Sequence, residues 1–322
     1  MDKITVVVIS KPDVPHLSVL KELPDSAHVV LGNSVAELAS AMPGADVILN
    51  SNFGRDPFAG LFPAATSVKW VHCLSAGVES MLTPELIASP VPLTNGRGVF
   101  RTSLSEWCLG AMLFFSKQTR RLIEQQERGE WGQFDIELLE GKTLGVVGYG
   151  EIGRATAQLA HAFGMKVIAV RRRTSLSQAD PLLDATYAPD QLHQMLAECD
   201  FVVVATPNTP ETKGMIGAAE LARMKKTAVI LNVGRGPVIV ESALLSVLAS
   251  GQIRGAALDV FEHEPLPPGH PFFALKNVLL SPHSADHTDD WIHRAMHKFV
   301  DNFKLYASGA PLQNIVDKKA GY

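Results

Sequence analysis

The chain predicts an α/β protein built from two Rossmann-like domains with parallel sheets. Short apolar runs alternate with segments of helical period along most of its length. One run leads directly into the glycine turn Gly148-Tyr149-Gly150-Glu151-Ile152-Gly153, and a helical pattern follows. Four later runs end in glycine, proline or a polar residue. Parallel sheets present their ligand-binding edge at such strand ends.

In the N-terminal third, strands are predicted at Ile4–Ile9, 28–31, 46–49, 69–72 and 91–94. The connections between them are helical or irregular, a pattern that fits a flavodoxin-like parallel sheet. A long amphipathic helix is predicted over 102–128, crossing between domains. The strand Thr143–Val147 precedes the glycine turn, a helix over 154–163 follows it, and Lys166–Val170 is the next strand. Further strands are expected at 200–205, 227–232, 255–259 and 277–281, and a last helix at 288–307.

Each glycine of the turn has a physical task. The first permits a tight turn, the second lets a pyrophosphate reach the backbone, and the third lets helix and strand pack closely. The helix N-terminus supplies unpaired amides and a positive dipole end. Gly148, Gly150, Glu151, Ile152 and Gly153 are therefore candidate cofactor contacts. An acid about 20 residues on usually binds the ribose 2′-hydroxyl. Arg171-Arg172-Arg173 stands there instead. Arginine binds a 2′-phosphate through charge-assisted bonds, so NADP(H) is expected over NAD(H), with NAD(H) still possible. Arg171 is best placed for this, Arg172 next, and Arg173 is read as solvated.

Three strand ends carry an arginine, a carboxylate and a histidine: Arg235, Glu264 and His283. This is the set that hydride transfer to a 2-oxo acid requires. An arginine holds the carboxylate and polarises the carbonyl. A histidine passes the proton, and a carboxylate fixes its tautomer and raises its pKa. Any one of the three alone is as readily a structural residue. The set on successive strand ends is what points to chemistry.

These segments resemble the D-isomer-specific 2-hydroxyacid dehydrogenase family over most of the chain. GYGEIG is similar to its cofactor turn, NVGRGPVIVESALLSVLASGQIRGAALDVFEHEPLP to its arginine and glutamate motifs, and LLSPHSA to its histidine motif. Within the family, the stretch Asn95 to Phe100 and the basic turn are most like NADPH-using glyoxylate/hydroxypyruvate reductases. The resemblance implies a nucleotide domain (98–287) inserted into a split substrate domain (1–97 and 288–322), with the active site in the cleft. It also implies that Ser75, Ala76 and Gly77 receive the substrate carboxylate through their backbone. Thr206 and Pro207 would flank the adenine or its ribose. Val233, Asn232 and Asp259 would support the cofactor end, Asp259 near the nicotinamide amide. Arg101 is a weaker anion contact, and Trp131 and Trp291 are either pocket walls or packing residues of a core or dimer interface. A homodimer is the family expectation. One departure stands out: Asp286-His287 follows the histidine motif where the family has a small or glycine-containing run.

The expected reaction is thus NADPH-dependent reduction of a small 2-oxo acid to the D-2-hydroxy acid. Two rivals stay open. One is a dehydrogenase of the same fold acting on a bulkier 2-oxo acid, phosphoglycerate, formate or phosphite. The other is a dinucleotide-sensing scaffold or co-repressor with little turnover.

With 322 residues, 46% of them hydrophobic, the chain can bury two ordinary cores. A net charge of −4 and no long basic face give no expectation of nucleic-acid binding. No apolar run approaches the roughly 20 residues that span a bilayer, and the opening MDKITVVVIS reads as a strand rather than a leader. The 3 cysteines have no paired spacing and the 11 histidines no ligand spacing. Reduced thiols in a cytoplasmic protein, and no metal site, are expected.

Overall fold

The structure is a computed structural model, and it describes residues 3–52, 56–177 and 179–322. The chain divides into two compact units, one formed by Met1–Phe100 with Thr288–Tyr322 and the other by Arg101–His287.

The first unit holds a parallel sheet of β1 (Ile4–Ile9), β2 (Ala27–Gly32), β3 (Val47–Asn50), β4 (Trp70–Cys73) and β5 (Leu93–Thr94). Their order, β2-β1-β3-β4-β5, is that of flavodoxin-like sheets. The inner strands β3 and β4 are buried along their whole length, as a parallel sheet covered on both faces requires. Trp70 on β4 stacks on Phe299 of the helix Trp291–Ala307, at 5.3 Å between ring centroids, and both are fully buried. This helix begins at Trp291, three residues later than its pattern predicts. The C-terminal tail then pairs with β5, where the Val316 amide donates to the Leu93 carbonyl at 2.8 Å.

The second unit has a seven-stranded parallel sheet: β6 (Thr143–Val147), β7 (Lys166–Val170), β8 (Ala185–Tyr187), β9 (Phe201–Val204), β10 (Val229–Asn232), β11 (Gly255–Leu258) and β12 (Val278–Leu280). The order β12-β11-β10-β9-β6-β7-β8 reverses between β6 and β9. That reversal is the switch point of a Rossmann sheet, where ligands bind beyond the strand ends. The β8 strand escapes sequence reading because its three residues are only half-buried and show no alternation. The helix Arg101–Ser116 packs on Glu151–Ala162 through small buried residues, Cys108 and Ala111 on one and Thr156, Ala157 and Ala160 on the other.

Two expectations need correction. The helix predicted over 102–128 is two helices, Arg101–Ser116 and Thr119–Arg128, because Gln118 turns the backbone left-handed at φ +50°. The second helix buries no residue, so packing gives no reason to keep it collinear with the first. Trp131 is not a core residue: it is 97% exposed.

Candidate active site

The glycine turn occupies the switch point. Gly148 ends β6 at φ +95°, a conformation that disfavours a side chain, and a Cβ there would stand 2.7 Å from Thr206 Cγ2. A Cβ on Gly153 would stand 2.5 Å from the Gly148 carbonyl oxygen. Gly150 differs, since a Cβ on it would meet nothing within 4 Å. Gly148 and Gly153 are thus required by their own neighbours, whereas Gly150 keeps a flank open. The helix Glu151–Ala162 starts directly after Gly150 and no side chain caps it. The Thr206 hydroxyl, at the end of β9, is buried with no hydrogen-bond partner. An open backbone flank, an uncapped helix start and an orphaned hydroxyl fit a dinucleotide phosphate group.

Arg171 follows β7, half-buried, with its amide on the Tyr187 carbonyl at 3.1 Å. Arg172 and Arg173 are exposed. Glu211, past β9, is held below the usual carboxylate range first by the Thr209 hydroxyl, with the charge of Arg172 adding to the effect. Arg101 forms a long, exposed contact with Glu151 at 3.5 Å. Pro207 lies half-buried beside Thr206, and its carbonyl accepts the Thr212 hydroxyl at 2.6 Å.

Arg235 sits on a loop clamped from both sides. The amide of buried Val233 bonds the Val204 carbonyl at 3.1 Å, and the loop then leaves β10. Asn232 spans the bend: its Oδ1 accepts the Gly234 amide and its Nδ2 donates to the Arg235 carbonyl, both at 3.1 Å. A Cβ on Gly234 would come 2.6 Å from the Thr206 carbonyl oxygen, and one on Gly236 would overlap the Phe261 carbonyl. The two glycines therefore let the arginine loop pass between the loop after β9 and the loop after β11. The Arg235 Nη1 donates to the Gly234 carbonyl at 2.7 Å, which directs the guanidinium.

The loop after β11 brings Glu264 to His283. His283 Nδ1 and Glu264 Oε2 are 2.7 Å apart, and Glu264 Oε1 accepts the Phe261 amide at 2.9 Å. Burial alone would push the Glu264 carboxyl up, but the bonds from His283 and Phe261 and the charge of Arg235 hold it below its usual range. The Glu264 bond raises the His283 pKa above 6.5. Burial and Arg235 oppose that rise, while the charges of Glu264 and Asp259 add to it. The imidazole side chain is 43% exposed, so the ring is accessible rather than sealed.

Asp259, 1% exposed, organises the histidine loop. Its Oδ1 accepts the Ser281 hydroxyl at 2.6 Å and the amides of Ser284 and Ala285 at 2.9 and 3.0 Å. His283 itself is left-handed, at φ +52°. Asp286 follows, with a buried Oδ1 that has no hydrogen-bond partner and lies 3.7 Å from His287 Nε2. Burial raises the Asp286 pKa, against the pull of His287 and His283.

In the other unit, Ser75, Ala76 and Gly77 form a half-buried loop after β4. The Ser75 hydroxyl donates to the Gly77 carbonyl at 2.6 Å, and Asn95 Nδ2 donates to the Ala76 carbonyl at 2.6 Å. Sequence reading assigned no such task to Asn95, which entered it only as the start of the stretch that ends at Phe100. Trp291 packs on Phe100 at 5.9 Å between ring centroids. Among the described residues no group of three or more potential ligands is placed to hold a metal.

Comparisons with known proteins bear on the family and the fold. Residues 109–285 match the NAD binding domain of the D-isomer specific 2-hydroxyacid dehydrogenases. The chain is 35% identical over 288 residues to a glyoxylate/hydroxypyruvate reductase B of Cronobacter sakazakii, covering 88% of this chain and 87% of that one. It is 36% identical over 272 residues to a glyoxylate reductase of Aeropyrum pernix, covering 80% and 79%. Its fold is similar, with a TM-score of 0.84, 30% identity and coverage of 99% and 100%, to an NADPH-dependent glyoxylate/hydroxypyruvate reductase from Sinorhizobium meliloti solved with NADP and sulfate. A match over more than half of its length, on a unit with the glycine turn at its switch point, makes the chain an NAD(P)-dependent member of the D-isomer specific 2-hydroxyacid dehydrogenase family.

Proposed function

We propose that the protein reduces a small 2-oxo acid of the glyoxylate or hydroxypyruvate type to its D-2-hydroxy acid, with NADPH as the reductant. The observation that carries this is the 2.7 Å pair of His283 and Glu264, within reach of the Arg235 charge. The names of the similar reductases support the substrate class, and the basic turn at Arg171 and Arg172 supports the phosphorylated cofactor.

Gly148, Gly150, Glu151, Ile152 and Gly153 would hold a dinucleotide, which would supply the hydride. Thr206, Pro207, Val233 and Asp259 would line its path, and Arg171 and Arg172 would take its 2′-phosphate. Arg235 holds the substrate carboxylate and polarises the carbonyl. Because Nδ1 of His283 is engaged by Glu264, Nε2 is the nitrogen that gives its proton to the carbonyl oxygen. One hydride on carbon and one proton on oxygen complete the alcohol. In the reverse direction the neutral imidazole takes the proton back. Ser75, Ala76 and Gly77 are assigned to an anionic group of the substrate through their backbone amides.

We assign the substrate domain to the unit of Met1–Phe100 with Thr288–Tyr322 and the nucleotide domain to Arg101–His287. A homodimer is supported by exposed apolar side chains on the latter: Leu122, Ile123, Ile136 and Leu138, near Trp131 in the chain. Three free, buried cysteines support a reducing, cytoplasmic setting.

The test is NADPH absorbance loss with glyoxylate, hydroxypyruvate and bulkier or phosphorylated 2-oxo acids, followed by chiral analysis of the product. Fast turnover of the two small acids and a D product are expected. Turnover confined to a bulkier acid would reassign the substrate. Tight NADPH binding with no turnover would favour a sensing role.

A further inference from the structure

Tyr149 fills a variable position of the glycine turn, and Asp180 lies beyond the basic turn. Neither has a task in the scheme above, yet the fold joins them. The Tyr149 hydroxyl donates to Asp180 Oδ2 at 3.2 Å, and Arg154 Nε donates to the same oxygen at 2.8 Å. Arg171 Cζ lies 5.9 Å from the centroid of the Tyr149 ring, within cation–π range. Arg154, Asp180, Tyr149 and Arg171 thus form one chain of contacts, from the first turns of the helix Glu151–Ala162 to the end of β7.

The acid is fully engaged in this chain. Asp180 Oδ1 accepts the Leu182 amide at 3.2 Å, so both oxygens have donors. Burial would push its carboxyl up, but the Leu182 amide and Arg154 hold it below its usual range. The Tyr149 hydroxyl is pushed up by burial and by the Asp180 charge, so it stays protonated and donates. The ring itself is only 5% exposed, which makes it a fixed floor under the guanidinium.

We infer that Asp180 and Tyr149 are positioning residues for cofactor choice: Asp180 fixes the Tyr149 ring, and the ring presets the Arg171 guanidinium for the 2′-phosphate. This rests on the NADPH reading above. Its content is counterintuitive. An acid near the ribose end normally selects against a 2′-phosphate by repulsion and by bonding the 2′-hydroxyl. Here the acid is neutralised by Arg154 and acts through the ring, so it promotes the phosphorylated cofactor. A preset guanidinium loses less freedom on binding than a mobile one. The charge of Arg172 also acts on Glu211.

The rival is that Asp180 replaces the missing ribose acid and favours NADH. Equilibrium titration of the full-length protein separates the two, read by fluorescence or calorimetry. The ligands are NADPH, NADH, adenosine 2′,5′-bisphosphate and 5′-AMP. The last two probe the adenosine end without turnover. For Asp180→Asn and Tyr149→Phe we expect the preference for the phosphorylated member of each pair to fall about fivefold to tenfold, the scale of one charge-assisted bond. The double variant should lose little more than either single one, because both cut the same chain. Arg171→Ala gives the reference for loss of the Arg171 contact. A preference unchanged or increased in Asp180→Asn overturns the inference, as does an equal weakening of both members of each pair, the mark of a merely structural role. A wild-type protein that prefers NADH would instead refute the NADPH reading itself.

Discussion

The Asp259 carbonyl accepts the amide of His283 at 2.9 Å, so the proposed proton donor hangs from the end of β11 by its own backbone. The Asp259 carboxylate holds the residues on either side of it. Removing that carboxylate leaves the Ser281 hydroxyl and the Ser284 and Ala285 amides without their acceptor. Each orphaned donor costs about 1–3 kcal/mol. Asp259→Ala should therefore lower unfolding free energy by about 3 kcal/mol or more in urea titration and lower kcat with it. Asp259→Asn keeps one acceptor oxygen and should lose less of both. Equal stability for wild type and the alanine variant would show that the loop holds itself.

The left-handed backbone of His283 decides which replacement is informative. At φ +52° alanine is strained, whereas asparagine is among the residues that tolerate this region. His283→Asn should melt near the wild type and still lose roughly 10²–10⁴-fold in kcat, the scale of a positioned acid. Near-normal turnover in that variant would remove His283 from the proton transfer.

Glu264 is expected to set the pH range. In the proposed scheme reduction draws a proton from His283, so the rate should hold while the imidazole is charged and fall as pH rises through the raised pKa. Glu264→Gln removes the cause of that rise, and the falling limb of the reduction profile should move to lower pH. A limb that stays in place would mean that another group titrates. The pair also contributes to stability within a window. The His283 part is complete below its unfolded value of 6.5 and is lost as pH rises through the raised pKa. The Glu264 part is complete above its unfolded value of 4.5 and is lost as pH falls through the lowered pKa. The difference in melting temperature between wild type and Glu264→Gln should peak between those two values.

Two glycines of one turn should behave oppositely. Gly148→Ala meets both an unfavourable φ and the Thr206 side chain, and should destabilise the protein. Gly150→Ala meets no protein atom, so it should keep the wild-type melting temperature while weakening NADPH binding at least tenfold, the scale of one lost charged bond. Unchanged NADPH affinity in Gly150→Ala would take the pyrophosphate away from this turn.

The parts of this protein that are legible in its sequence are those encoded locally. Buried parallel strands read as continuous apolar runs, and the glycine turn is contiguous. Arg235, Glu264 and His283 stand out because each interrupts a strand end with a charged or titratable group. What sequence hides is pairing at a distance. Asp180 meets Tyr149 across 31 positions and Asn95 meets Ala76 across 19, and no periodicity encodes either contact. The break at Gln118 is hidden for another reason: its flanking segments share a helical pattern, and a single left-handed residue leaves that pattern intact.

The clamp on the arginine loop has a consequence for heat. Gly234 and Gly236 press against main-chain atoms at Thr206 and Phe261. Side chains can rotate out of the way one at a time, but main chain at strand ends moves only when its strands part. Arg235 has no small, early loosening available to it. On warming, loss of turnover and melting of the seven-stranded sheet should arrive together, and a catalyst derived from this scaffold would gain thermal lifetime by reinforcing β9, β10 and β11 rather than by rebuilding the loops that bear the proposed reacting groups.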